Sequence, residues 1–167
     1  MSDDEDIAMI LHAEQQAKAL AGEQFLKYNP FLNLPNQVTM RVLDDYRRML
    51  ISKNVTGDEL REMISNDFTK ACEGLRSKTA SMIFIGAPRH AVLLHVALLV
   101  GIEATLALRN MWAALRDKNW EKAADELLLS EWPRMAGTDI SERQRVIDLV
   151  HVMRSGVFSN HMTMDTH

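Results

Sequence analysis

An all-α fold, one helical lobe wrapped around a single buried helix, is what this sequence of 167 residues predicts. Two observations carry that expectation. Every long apolar pattern has the 3.6-residue spacing of a helix, and one run, Ala91 to Val100, is apolar nearly all round. Strand-like alternation is confined to Met82-Ile-Phe-Ile85, so the expected β structure is at most a reduced hairpin.

Taken in order, Ile7, Ile10, Leu11, Ala17, Ala21 and Phe25 recur at spacings of three and four behind an acidic start, which predicts a helix over about residues 4–27. Asn29 to Asn36 holds Pro30 and Pro35 among large apolar side chains, an ordered connection. Asn36 then caps a helix with Val38, Val42, Leu43, Tyr46, Met49 and Leu50 on one face. Thr56 and Glu59 have the spacing of a capping box ahead of a helix that turns Leu60, Met63, Ile64, Phe68, Ala71 and Leu75 inward.

Pro88 suits the first turn of the apolar helix, which Gly101 ends. Three further helices are expected at about 103–116, 119–130 and 139–154, the last closed by Gly156 in a left-handed cap. Trp120 and Trp132 are expected to be core residues.

Composition bounds the function. Hydrophobic residues make up 47% and charged residues 25%, the balance of an ordinary globular protein, and the length suits one domain over 1–167. A net charge of -4 with scattered Lys and Arg argues against nucleic acid as a partner. The single cysteine, Cys72, reads as a small buried hydrophobe in a reducing setting. The acidic start is unlike a signal peptide and no apolar run was expected to reach the ~18 residues of a membrane span. Neither export nor a membrane is expected.

From Thr56 to Gly156 the chain resembles the phage-type lysozymes, muramidases that cut peptidoglycan. The most specific piece is Trp120-x-x-Ala123-Ala124 with Ser130-x-Trp132, and around it lie Thr56-Gly-Asp-Glu-Leu60, Pro88-x-x-x-Ala91-Val-Leu-Leu94, Gly101, Arg145-Val-Ile147 and Arg154-Ser-Gly156 in family order. The resemblance implies a helical lobe over 37–156, a rebuilt N-terminal segment over 1–36 and a tail over 157–167.

Glycoside hydrolysis needs a protonated acid at the leaving oxygen and a second carboxylate across the sugar. The family supplies Glu, Asp nine residues on and Thr six further, within a Gly-rich hairpin. Here the match is Glu14, Glu23 and Asn29, with Gly22 the only glycine in the segment. In an unbroken helix nine residues turn about 900°, which puts Glu14 and Glu23 on opposite sides. Glu14 lies seven residues from Ile7, on the apolar stripe, where desolvation favours a protonated acid and where a paired structural Glu also fits.

The histidines give no metal pair: His12 and Glu14 lie on different faces, and His90 and His95 stand about 140° apart around their helix. Asp58, Asp117 and Ser130 suit caps or solvent, and His161, Asp165 and His167 sit in a polar tail. No cofactor and no metal are expected.

The reading is therefore a lysozyme-like, phage-encoded protein that has lost muramidase activity and acts as a binding or virion component through a protein partner, in the bacterial host cytoplasm or the particle. A divergent peptidoglycan hydrolase with Glu14 as acid and Glu23 as second carboxylate, and an unrelated helical module, stay open. Phe31, Leu32 and Leu34 are the candidate binding residues, either tucked into the old cleft or offered to the partner.

Overall fold

The computed structural model describes residues 34–163, and these are helical throughout, with no strand among them. In order they form α1 (Asn36–Ser52), α2 (Gly57–Thr79), a 3-10 turn (Ile83–Ile85), α3 (Gly86–Val100), α4 (Ile102–Leu106), α5 (Arg109–Arg116), α6 (Trp120–Leu129), α7 (Trp132–Ala136), α8 (Ile140–Ser155) and α9 (Asn160–Thr163).

The centre is α3. Its residues Arg89 to Leu99 are all buried, because α1, α2, α4, α7 and α8 surround it. The stretch Ile83–Val100 does reach 18 residues with a mean hydropathy of 1.8, contrary to the expectation above, and 67% of it is buried inside the fold. Length and composition alone do not separate a core helix from a span.

Outside α3 the elements pair by amphipathic stripes. Val38, Val42, Tyr46 and Leu50 of α1 and Leu60, Ile64, Phe68, Ala71 and Leu75 of α2 are buried as their spacing predicts, and Cys72 is buried beside them. The α2–α4 crossing is close at Gly74, where an added Cβ would meet the Ile102 side chain at 2.3 Å. At the other side α6 packs on α5 and α8.

Five local expectations are corrected. Residues 82–85 are not strand-like: Met82 and Ile85, three apart, are buried while Ile83 and Phe84 are exposed, which is the periodicity of a 3-10 turn. The helix expected over 103–116 is broken at Ala107–Leu108. There the Thr105 carbonyl accepts the Trp112 indole N–H at 2.9 Å, a bond that apolar spacing cannot signal. Thr56 sits at the N-cap of α2 in extended conformation without a side-chain cap bond, and Pro35, not Asn36, occupies the N-cap of α1. Trp120 is only half-buried, whereas Trp132 is fully buried.

The end of α8 follows the sequence closely. Asp139 and Glu142 form a reciprocal capping box at its start, and Gly156 closes it at φ 72°, ψ 17°. Arg89 reaches from α3 to the same end: its Nε donates to Met153 O at 2.7 Å and its Nη2 to Arg154 O at 3.0 Å, and its guanidinium stacks 3.7 Å from the Trp120 ring centroid. A buried cation thus satisfies the carbonyls that the helix leaves open.

Candidate functional site

Two concavities meet at Met49 and Leu99, which line both. The first is small, about 130 Å³, and polar. The second is an open groove of about 590 Å³.

The small cavity is built around His95, 1% exposed in the middle of an apolar helix. A buried imidazole must satisfy both nitrogens. Nδ1 accepts the Trp132 indole N–H at 3.0 Å, and since an indole only donates, that nitrogen carries no proton. The proton therefore lies on Nε2, which donates to Asp45 Oδ2 at 3.0 Å. Asp45 Oδ1 accepts from Arg145 Nη1 of α8.

Four elements, α1, α3, α7 and α8, are thereby tied by one chain of hydrogen bonds from Trp132 through His95 and Asp45 to Arg145. Burial pushes the Asp45 carboxyl up, but the His95 hydrogen bond and the Arg145 charge outweigh it and hold the group below its ordinary value. Asp139 and Glu142 line the same cavity. The Glu142 and Ser141 hydrogen bonds also hold Asp139 below the usual carboxylate range, and the Glu142 side chain accepts from the Asp139 N–H.

The groove runs between the C-terminal half of α1, the first half of α2, the end of α3, and α4. Its wall is apolar and thioether-rich, with Met49, Met63, Met135 and Ile102, and Lys53 and Lys70 also line it. Within it the Tyr46 hydroxyl donates to Asp67, and burial, followed by the Asp67 charge, pushes the Tyr46 phenol well up. Tyr46 thus stays a protonated donor across ordinary pH.

Of the residues singled out from sequence, His12, Glu14, Glu23, Asn29, Phe31, Leu32, Asp165 and His167 lie outside the described residues, as does the side chain of His161. Leu34 is 6% exposed and packs into the core. His90 is buried with Nδ1 donating to Gly86 O at 2.9 Å, and burial lowers its pKa to about 4. Asp58 pairs with Arg61, and Ser130 closes α6 by donating to Leu127 O at 2.6 Å while accepting the Trp132 N–H. No group of three His, Cys, Asp or Glu side chains placed to hold a metal ion occurs among the described residues.

Asp45 and Arg145 were not singled out as a site, yet the pattern carried a signal. Asp45 lies seven residues from Val38, hence on a buried stripe, and Arg145 lies four before the buried Leu149. A charge at an apolar position calls for a partner, and the structure supplies each with the other. Comparison with protein-family models, with curated proteins and with solved structures finds no match to this chain.

Proposed function

We propose that this chain is a lysozyme-like helical lobe without hydrolytic chemistry, a phage component that works by binding a protein partner. The observation that carries the reading is the state of Asp45. It is a largely covered acid lining the small cavity, and each of its oxygens accepts a hydrogen bond, one from Arg145 and one from His95. A glycosidase needs an acid held protonated, with a raised pKa, facing a second carboxylate across a sugar. Asp45 and Asp139 are both pushed the other way.

Room for a sugar is also lacking at that point, since about 130 Å³ falls below the range of ligand sites, roughly 300–1,000 Å³. Its polar groups answer one another, as in a network that fixes the packing of four helices. In the open groove Asp67 accepts from the Tyr46 hydroxyl, and the broad apolar wall beside them suits binding better than turnover.

The test is turbidity loss of chloroform-treated Gram-negative cells, with wild type and Glu14→Gln side by side. No lysis by either protein is expected, because general acid catalysis alone is worth roughly 10²–10⁴-fold and positioning adds more. Lysis by wild type that vanishes in Glu14→Gln would overturn the reading in favour of a divergent peptidoglycan hydrolase.

A further inference from the structure

We propose that the groove between α1, α2 and α4 binds a single-chain amphiphile with a carboxylate head, a monomeric fatty acid, with the head at Lys53 and the tail along Met49, Met63 and Ile102. The argument is independent of the reading above. It rests on size, lining and the placement of charge.

The groove's volume, about 590 Å³, lies inside the range of small-molecule sites. A tail of about twelve methylenes, each comparable to a water's roughly 30 Å³ share of the liquid, needs about 350 Å³ and so fits. The wall suits a flexible chain, because thioether side chains have three rotatable bonds and adapt to irregular apolar guests. Met49, Met63 and Met135 supply three of them, and all three are only partly buried.

Charge sets the direction. Lys70 lies one helical turn from Asp67 on α2, and both line the groove with Glu103 of α4. Around Lys53, by contrast, the lining residues nearest in sequence, Met49, Leu50 and Val55, are all apolar. Lys53 also has no ion-pair partner among the described residues. An exposed ammonium without such a partner favours an anion over a cation beside it.

The test uses the full-length protein with methyl-13C-labelled methionine, titrated with sodium octanoate, decanoate and dodecanoate below their micelle concentrations. The Met49 and Met63 methyl signals should shift together, and affinity should rise with chain length by up to about fourfold per methylene buried. Lys53→Glu, a substitution at an exposed position past the end of α1, should weaken dodecanoate at least tenfold while leaving uncharged decanol within twofold.

Dodecyltrimethylammonium serves as the charge-reversed probe. Equal affinity for it, absence of the methionine shifts, or binding to anionic phospholipid vesicles without binding of the monomeric acids would each overturn the proposal. Should Lys53→Glu lose its helical spectrum, Lys53→Gln takes its place, with a severalfold loss for dodecanoate as the expected result and an unchanged affinity as the refuting one.

Discussion

The small polar cavity at His95 and the open groove at Met63 share two wall residues and little else. In the cavity the polar groups of His95, Asp45, Trp132 and Arg145 are bonded to one another, across four helices. In the groove the polar groups stand at the margins and the wall is soft. The difference teaches that a concentration of His, Asp and Arg is not by itself a reactive site. Inside a low-dielectric core such groups are costly unless paired, and once paired they are held in an arrangement that a substrate would have to break to use them. Chemistry that is available to a ligand sits where the protein has left its own groups less completely answered.

The largest expected effect tests how far the cavity is structural. Trp132→Ala should destabilise by roughly 3–5 kcal/mol, since it removes a fully buried aromatic and leaves His95 Nδ1 without its donor. Trp120→Ala should cost about 1–2 kcal/mol, because that ring is half-buried and loses chiefly its stack with Arg89. Urea unfolding of both variants gives the ranking. Equal losses would mean that the indole bond to His95 adds nothing, and the contrast drawn above would fail.

A smaller effect separates the two buried histidines of α3. His90 is ordinarily half-protonated near 6.5, but burial lowers it in the fold to about 4. With the folded value depressed, the unfolded chain binds a proton first as pH falls. The contribution is therefore intact above about 6.5 and is lost progressively down to about 4, amounting to about 3 kcal/mol in order of magnitude. Chemical denaturation at pH 7 and pH 4.5 should show most of that loss in wild type and little of it in His90→Gln. A wild-type midpoint that does not move between those two values would remove His90 from the account.

Sequence legibility divides along the same line. The stripes of α1 and α2, the all-round apolar α3 and the Gly156 cap of α8 were readable because each is local: side chains at three and four residues, or a glycine just past the last periodic residue. The break at Ala107 was not, since it depends on one indole reaching a carbonyl seven residues back. Trp120 was misplaced for a similar reason. Its apolar bulk suggested the core, while the structure leaves it half-buried with one face stacked on Arg89, a contact from a distant part of the chain.

The site was legible only as an anomaly. Asp45 and Arg145 stand a hundred residues apart, and no spacing rule joins them, though each sits on a stripe where a charge needs explanation. Glu14 and Glu23 keep the family's separation in sequence, and both lie outside the described residues. The groove was not legible at all, because a concavity is made by what neighbouring helices leave uncovered, and Met49 and Met63 look like ordinary members of apolar faces.

The smallest effect is the one expected in that groove, and it sharpens the comparison most. Met63→Ala should cost less than about 1 kcal/mol, against the roughly 2–5 kcal/mol of a buried Met→Ala change, because the side chain is only partly buried and its loss enlarges an open space instead of creating a closed void. The Met63 neighbour Ile64, buried on the same helix, provides the internal standard. Ile64→Ala should fall in the full core range. Thermal unfolding of the two variants beside wild type decides the matter. If Met63→Ala were as damaging as Ile64→Ala, the groove wall would be part of the rigid core, closely packed and unable to re-form around a guest. A near-neutral Met63→Ala leaves the wall as a surface whose side chains are held loosely enough to take the shape of what enters, which is the property that separates it from the cavity next door.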